Sequence, residues 1–420
     1  MRRNRCSVFM NNRRRNWLYL FTANFFGILN DNFIKHCLVF VAVLWSAPSW
    51  LSQSQLISAI SAALVIPYLL FSPLSGKITV LYSKQTIFRV CKLAEFPIVA
   101  LAIVSFLTES VLCGWLSVLL MGIQSCMYSP SKYGLIRDIG GKSRVNFGSG
   151  VFETMAFLAI LVGTSLAAYL SDHYHPYLVG GLFFLFAVLG CLCCFGIHVK
   201  EERTVAEDDF STINPIKFIV DSYRYARQFK GLNAGVFGVS VFWLMGGLLQ
   251  MNLVLHCTHT LAQSNTTAGI VMAIAATGIA LGCTIGGKIG SFVSDRTLVF
   301  VGLSVMILCL AIIVLVNPNV YICAGLVFVL AFMGGCFEIP CLAMIQKADT
   351  GQKNGQMLAY MNLITFVFVL LGSFIFSLVT SLTNENSLAV FIVIAFICLL
   401  TLLYFVGTTC RERVGDNCSN

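Results

Sequence analysis

Polar side chains interrupt the first long apolar run of the chain at a spacing that could do chemistry. Asn24, Asp31 and Lys35 are separated by seven and four residues, which places them on one face of a helix. Asn30 and Asn32 flank the acid. An ionisable group inside a membrane is costly and marks a functional site by default. We therefore expect this face to line a polar cavity that binds a substrate or a coupling ion.

A simpler interpretation of the same residues stays open. Asp31 and Lys35 are four positions apart, so they could form an ion pair that only orders the helix. Such a pair would not explain the three asparagines nearby.

Three further acids lie in apolar segments. Glu153 is surrounded by apolar residues and is expected in the cavity. Glu338 lies two residues before Pro340, where a broken helix could free backbone carbonyls; a functional and a structural role are equally open. Glu95 follows Lys92 by three residues, and these two are expected to form a snorkelling pair at the membrane surface.

The second half of the chain offers fewer polar candidates. Gln250 and Asn252 occupy the position that mirrors the Asp31 region, so they complete the set of substrate-binding or coupling candidates. His256 and His259 have ligand-like spacing but no acidic third ligand close by, which favours histidines at the membrane interface over a metal site.

Several classes of site are not predicted. The cluster Cys191, Cys193 and Cys194 has no second cysteine pair to complete a ligand set, so we expect no zinc site. The run Gly282–Lys288 resembles a phosphate-binding loop, but Ile289 stands where that motif needs Ser or Thr. Without a nucleophile elbow or an HExxH motif as well, the sequence predicts no enzyme, no metal and no cofactor.

The composition shows what kind of fold carries these residues. Of 420 residues, 58% are hydrophobic and 11% are charged, against roughly 25% charged in soluble domains. A bilayer core of about 30 Å needs about 20 apolar residues per helix. The sequence thus predicts an all-α membrane protein with about twelve transmembrane helices, near 17–45, 55–80, 87–107, 112–136, 147–170, 177–197, 232–256, 268–290, 298–316, 320–346, 355–381 and 387–407.

The basic residues predict the orientation of these helices. Of the 27 lysines and arginines, 26 fall in or beside the termini and the loops on one side, and Lys35 is the exception. Positive charge marks the cytoplasmic side, so both termini are expected in the cytoplasm. The net charge of +9 is thereby a topology signal, and no nucleic-acid partner is predicted.

A polar stretch near the middle divides the chain six helices plus six. The predicted domains are a basic cytoplasmic tail at 1–16, a six-helix bundle at 17–197, a cytoplasmic linker with an amphipathic helix at 198–231, a second six-helix bundle at 232–407 and a cytoplasmic tail at 408–420.

An internal repeat relates the two halves. Near-constant offsets of 209 to 211 residues connect four pairs of positions, namely Gly76-Lys77 with Gly287-Lys288, Ser83 with Ser294, Pro130 with Pro340, and Gly163 with Gly372. Two halves related by internal symmetry are typical of secondary transporters, in which substrate binds between the halves near the midplane. The candidates for gating or conformational roles from this repeat are Gly76, Lys77, Pro130, Gly287, Lys288 and Pro340.

With these residues in hand, the chain resembles the major facilitator superfamily and, within it, the bacterial lysophospholipid transporters. The latter are related to the transporter portion of fused acyltransferase and acyl-carrier-protein synthetase proteins. The resemblance rests on Asn30–Phe33, on Tyr128–Leu135 with Pro130, Lys132 and Tyr133, on Gly150–Thr154, on Trp243 with Gln250–Leu255, and on Ile339–Gln346. It adds Lys132 and Tyr133 to the gating candidates.

The chain departs from this family at two positions. Ser149 stands where the motif usually has Asn-Gly before the acid, and Gln250 stands where some members have an arginine. That arginine would pair with the acid of the first helix. In its absence Lys35 is expected to be the nearest basic partner of Asp31.

The resemblance implies an alternating-access carrier that flips lysophospholipids across the bacterial inner membrane. A separate acyltransferase or synthetase is then expected to reacylate the lipid. Two alternatives stay open, a proton-coupled carrier of a small solute or drug with Asp31 or Glu153 as its proton site, and a membrane scaffold or sensor that transports nothing. Costly charges such as Asp31 and Lys35 argue against the scaffold.

Overall fold

The structure is a computed structural model that describes residues 2–41, 45, 53–201 and 213–418 of the chain. The expected end of the first helix at 42–44 and the linker residues 202–212 lie outside the described residues. Thirteen α-helices account for most of what is described, and no strand occurs in those ranges. The predicted all-α membrane architecture is confirmed.

The helices follow one another through short connections. Their bounds are α1 Arg2–Val41, α2 Gln53–Leu81, α3 Lys84–Thr108, α4 Val111–Gly140, α5 Val145–Asp172, α6 Pro176–Phe195, α7 Pro215–Ala226, α8 Leu232–Leu255, α9 Asn265–Ile289, α10 Asp295–Val316, α11 Val320–Lys347, α12 Asn354–Leu382 and α13 Ser387–Cys418. A π-helical turn, His256–Thr260, extends α8.

Eleven of these helices, α2 to α6 and α8 to α13, are long and apolar enough to cross a membrane. Helix α7 is too short to do so. Helix α1 is long enough, but Asn24, Asn30, Asp31, Asn32 and Lys35 lower its hydropathy. The first predicted transmembrane helix is thus less apolar than the other eleven, because these polar candidates stand where the others have apolar residues.

Serine caps begin several helices and confirm one part of the internal repeat. The Ser83 hydroxyl accepts from the Thr86 amide (3.1 Å) at the start of α3, and the Ser294 hydroxyl accepts from the Thr297 amide (3.2 Å) at the start of α10. An N-cap serine satisfies one of the backbone donors left free in the first turn. These two serines are repeat partners, so corresponding helices of the two halves begin in the same way.

The described chain forms two compact units. Unit 1 contains Met1–Gly141, Leu158–Ser222 and Thr350–Asn362, and unit 2 contains Lys142–Phe157, Tyr223–Asp349 and Leu363–Asn420. Each unit therefore combines most of one sequence half with a short segment of the other half.

Each unit uses one repeated glycine in the same way. In unit 1, a Cβ at Gly163 of α5 would lie 2.7 Å from the Leu29 carbonyl oxygen of α1. In unit 2, a Cβ at Gly372 of α12 would lie 3.2 Å from the Leu244 carbonyl oxygen of α8. Small residues let membrane helices approach closely. These glycines therefore fix α1 and α8 at equivalent places in their units.

The prolines inside α4 and α11 do not interrupt them. Helix α4 continues to Gly140 beyond Pro130, and α11 continues to Lys347 beyond Pro340. The expectation of a broken helix beside Glu338 is therefore wrong. Proline removes only one backbone bond, and close neighbours hold the rest of α11 in place.

Candidate functional site

A buried polar cluster occupies the centre of unit 1, where α1, α3 and α4 meet. The Ser125 hydroxyl of α4 donates to the Asp31 Oδ2 atom (2.8 Å) and also lies 3.2 Å from the Gln124 Oε1 atom. The Gln124 amide in turn donates to the Cys91 carbonyl of α3 (3.1 Å). We call this set the α1 cluster; its members are Asn24, Asn30, Asp31, Lys92, Glu95, Gln124, Ser125, Tyr128 and Lys132.

The α1 cluster contains a buried ion pair, between Lys92 and Glu95 of α3. The Lys92 ammonium donates to the Glu95 Oε2 atom at 2.6 Å, and the two side chains are 1% and 3% exposed. The Asn30 amide donates to the other carboxylate oxygen of Glu95 (3.0 Å). The expected snorkelling pair is therefore wrong, because both charges are buried and tied to α1.

The Lys92 ammonium fits a niche made by glycines on two other helices. A Cβ at Gly27 of α1 would lie 2.7 Å from the Lys92 Nζ atom, and one at Gly190 of α6 would lie 3.4 Å from it. The ammonium also lies 5.8 Å from the centre of the Tyr128 ring, within range of a cation–π interaction. Because Gly27 and Gly190 have no side chain, there is room for the buried Lys92 ammonium.

Lys132 brings a second cation to the α1 cluster. Its ammonium donates to the Asn24 Oδ1 atom (3.4 Å) and lies 5.1 Å from the Tyr128 ring and 5.6 Å from the Tyr133 ring. The sequence placed Lys132 and Tyr133 among gating residues, whereas the structure groups Lys132 with the candidate substrate-binding residues.

The cations whose charges act on Asp31 are Lys92 and Lys132. This differs from the expectation that Lys35 is the nearest basic partner. Within the described residues Lys35 forms no ion pair with Asp31, so the simple helix-ordering pair is not what holds the acid. The amide of Asn32 donates to the Ile28 carbonyl of its own helix (2.8 Å) and does not join the cluster.

A different polar site occurs in unit 2, where α5, α9 and α11 meet. Glu153 and Glu338 are each 2% exposed, and their charges act on each other. The Cys283 thiol lies 3.8 Å from the Glu338 Oε2 atom, and the Trp243 indole N–H donates to the same carboxylate. We call Glu153 and Glu338 the carboxyl pair. The sequence selected both residues but gave no sign that they meet.

Close backbone contacts bring the carboxyl pair together. A Cβ at Gly150 of α5 would lie 2.9 Å from the Gly287 Cα atom of α9. The Thr154 hydroxyl, one residue after Glu153, donates to the Ala280 carbonyl of α9 (2.9 Å). The repeat glycine Gly287 is therefore a packing residue that presses the first half of α5 onto α9.

Two other candidates of the second half lie away from the carboxyl pair. Gln250 is exposed. Asn252 is fully buried, and its amide donates to the Ser387 carbonyl at the start of α13 (3.0 Å). His256 is also buried, with its Nδ1 atom 2.9 Å from the Ser387 hydroxyl, whereas the exposed His259 pairs with Glu385 (3.4 Å).

The remaining gating candidates lie near helix ends. A Cβ at Gly76 of α2 would lie 3.2 Å from the Ala359 Cβ atom of α12, inside unit 1. Lys77 is half-buried and Lys288 is exposed at the end of α9. Their gating role stays a prediction.

The sequence missed three members of the α1 cluster besides the Lys92–Glu95 pair. Gln124, Ser125 and Tyr128 lie eight or fewer residues before Lys132 on α4, and Ser125 and Tyr128 share a helix face with it by spacing. This helical spacing is the sequence signal that could have identified Ser125 and Tyr128 as neighbours of Lys132. Among the described residues no group of three or more His, Cys, Asp or Glu side chains is arranged to hold a metal ion.

Comparison with known sequences places the whole chain in one family. The sequence profile of the Major Facilitator Superfamily matches residues 20–232 and 235–416. The chain belongs to the Major Facilitator Superfamily. It is therefore a multi-pass membrane transporter, and the proteins it is similar to are transporters, not enzymes.

Curated relatives make the resemblance to lysophospholipid transporters specific. The chain is 26% identical over 378 residues to the lysophospholipid transporter LplT of Photorhabdus laumondii, covering 85% of this chain and 86% of that protein. It is 26% identical over 392 residues to LplT of Yersinia pestis, covering 88% and 87%. The resemblance expected from the motifs is confirmed.

Solved structures share the fold. The Escherichia coli fucose:proton symporter FucP superposes with a TM-score of 0.74 at 10% identity, covering 93% of this chain and 98% of that one. The human organic anion transporter MFSD10 gives 0.74 at 14% identity, covering 94% and 99%. At such identities the likeness concerns the fold alone.

Proposed function

We propose that this superfamily member moves lysophospholipids across the bacterial inner membrane by alternating access. The relatives named as lysophospholipid transporters support this substrate class. The observation that carries the proposal is the α1 cluster, because it places a half-buried carboxylate, Asp31, beside two buried ammonium groups.

Charges of both signs suit a zwitterionic lipid headgroup. A phosphate oxygen accepts hydrogen bonds from an ammonium group, and a headgroup amine donates to a carboxylate. Lys132 and Asp31 offer these two partners on neighbouring helices. We expect Asn24, which accepts from Lys132 (3.4 Å), to hold that ammonium in place until a phosphate replaces the amide.

The acyl chain needs an apolar surface with free space. A Cβ at Gly246 or Gly247 of α8 meets no atom within 4 Å, and the residues beside them on α8 are mainly Leu, Val, Phe and Met. This part of unit 2 can take added apolar volume, and we propose that it accommodates the lipid chain. The product would then be reacylated by a separate acyltransferase or synthetase.

A lipid-exchange assay in inverted vesicles tests the proposal. Labelled lysophosphatidylethanolamine should be flipped by the parent chain, while Asp31→Asn should insert at near-normal levels and lose transport. Asp172→Asn, an exposed acid at the end of α5, is the matched control and should transport normally. Transport by Asp31→Asn at the parent rate would make Asp31 structural. Failure of every lysolipid tested would contradict the proposed substrate class and favour the carrier of a small solute.

The orientation is a separate part of the proposal. We propose, from the positive-inside rule alone, that both termini and the loop near Lys142 are cytoplasmic and that the loops near Asp172 and Thr260 are external. Reporter fusions at these three loops should divide accordingly. A cytoplasmic signal at Asp172 together with an external one at Lys142 would reverse the topology.

A second candidate function is a proton-coupled carrier of a small solute, and the carboxyl pair favours it. The charges of the two carboxyl groups act on each other in a buried part of unit 2, and buried acids in membrane helices are candidate sites for a transported proton. If that proton is coupled to transport, Glu338→Gln should abolish the dependence of uptake on the pH gradient. Equal transport of a water-soluble headgroup fragment without its chain would promote this candidate over the lipid.

A further inference from the structure

Helix α7 (Pro215–Ala226) stands apart from the membrane-spanning helices. Its twelve residues reach only about 18 Å at 1.5 Å per residue, too short to cross a bilayer core. The Asn214 Oδ1 atom begins the helix by accepting from the amides of Ile216 (2.9 Å) and Lys217 (3.3 Å).

Contacts at both ends hold α7 close to the ends of membrane-spanning helices. The Asn233 amide, in the first turn of α8, donates to the Tyr223 carbonyl (3.2 Å). Near the other end, the Phe218 ring would lie 3.4 Å from a Cβ at Gly76, in the last turns of α2. Only five residues separate Ala226 from Leu232, so the end of α7 lies within about 20 Å of the start of α8.

One face of α7 packs against the protein. Phe218, Ser222 and Ala226, spaced four residues apart, are at most 1% exposed. The apolar ring of Phe218 is therefore turned toward the protein and is not available to an outside partner.

The opposite face carries a second apolar row. Ile213, Ile216, Val220 and Tyr223 are 60%, 75%, 41% and 48% exposed. Their spacing of three and four residues makes one continuous stripe along α7 and the residues just before it. A continuous stripe of large apolar side chains left largely exposed favours a partner that removes it from water.

Basic residues flank this row. Lys217 and Arg224 are exposed and seven residues apart, so they align beside the apolar row. Arg227 follows the helix and is exposed as well. Asp221 is the single acid of α7 and lies beyond the two basic residues. A helix with an apolar stripe and a basic border matches the interface of an anionic leaflet.

We propose that the outer face of α7 is a lipid-binding surface, in which Ile216 and Val220 enter the interfacial region of the leaflet while Lys217 and Arg224 bind anionic headgroups. This surface is separate from the α1 cluster and from any transported substrate. It holds whether the transported molecule is a lysolipid or a small solute.

A fluorescent amino acid introduced by amber suppression at position 216 tests the proposal in the full chain. Position 228 is the matched control, because Gln228 is also exposed but lies on the polar side. The protein is reconstituted into zwitterionic vesicles, with or without anionic phosphatidylglycerol, whose acyl chains carry bromine as a quencher. We expect several-fold stronger quenching at 216 than at 228, and a further increase with the anionic lipid.

Variants separate the role of α7 from a general effect of protein charge. Arg224→Gln should reduce the anionic increment of quenching at 216 about fivefold, whereas Arg144→Gln, an exposed basic residue in another loop, should leave it unchanged. Weak, equal quenching at 216 and 228 would mean that the row faces water or a protein partner and would overturn the proposal. Equal effects of the two variants would remove the specific role of the basic border.

Discussion

The two units surround their buried acidic side chains with different groups. In unit 1 the α1 cluster combines two acids, Asp31 and Glu95, with two lysines, Lys92 and Lys132, and each carboxylate receives hydrogen bonds. In unit 2 the described groups that act on Glu338 are another carboxyl, a thiol and an indole N–H, without a lysine or arginine.

This difference teaches what each site can tolerate. A fully paired set of charges is stable only as a whole, because removing one member leaves another buried and uncompensated. Two ionised carboxyl groups repel each other, so neutralising one of them removes an unfavourable interaction from the folded state. The α1 cluster should therefore be sensitive to neutralisation, and Glu338 should tolerate it.

The largest effect is expected for Lys92→Met. This change keeps most of the length of the side chain but leaves the Glu95 carboxylate buried with only the Asn30 amide as a described partner. The expected loss is about 3–5 kcal/mol of folding stability. The fraction of monodisperse protein that survives heating in detergent would measure it.

A double variant and a control sharpen this test. Lys92→Met with Glu95→Gln removes both charges and keeps an acceptor for Asn30, so most of the stability should return. Lys288→Met changes an exposed lysine of α9 and should have little effect. If the double variant is no better than Lys92→Met alone, the ion pair is not what the lysine contributes.

An intermediate effect is expected at Gly246 of α8, beside the apolar residues of unit 2. Gly246→Leu adds volume where a Cβ meets nothing within 4 Å, so the protein should fold and lose transport selectively for long-chain lysolipids. Uptake measured against acyl-chain length should show the deficit growing with length. Gly372→Leu is the contrasting variant, because its Cβ would lie 3.2 Å from the Leu244 carbonyl, and it should fail in folding. An equal deficit for all chain lengths in Gly246→Leu would place the acyl chain elsewhere.

The smallest change in stability is expected for Glu338→Gln. The amide oxygen can still accept from Trp243, and repulsion from Glu153 disappears. We expect a change within about 1 kcal/mol, in either direction, in the same heating assay. A loss as large as that of Lys92→Met would show that Glu338 is held by a cation, and the contrast between the two units would fail.

The sequence predicted the membrane fold well because apolar runs of about 20 residues have few other structures open to them. It also found Asp31, since a charge in such a run is conspicuous. It misjudged Glu95 because Lys92, three residues away, suggested a local pair, whereas the burial comes from α1 and α6 glycines far away in sequence. The meeting of Glu153 and Glu338, 185 residues apart in the chain, depends on tertiary packing that no local pattern reports.

The glycine niche around Lys92 also constrains how this protein can evolve. Alanine at Gly27 would push the ammonium away from Glu95, so that substitution is tolerable only after the charge pair has been lost. Once the pair is lost, alanine at Gly27 or Gly190 fills the vacated space and makes the return of the lysine costly. The order of substitutions therefore matters. Among related proteins, we expect the positions on α1, α3 and α6 to change together. Loss of the Lys92–Glu95 pair should be frequent and its return rare.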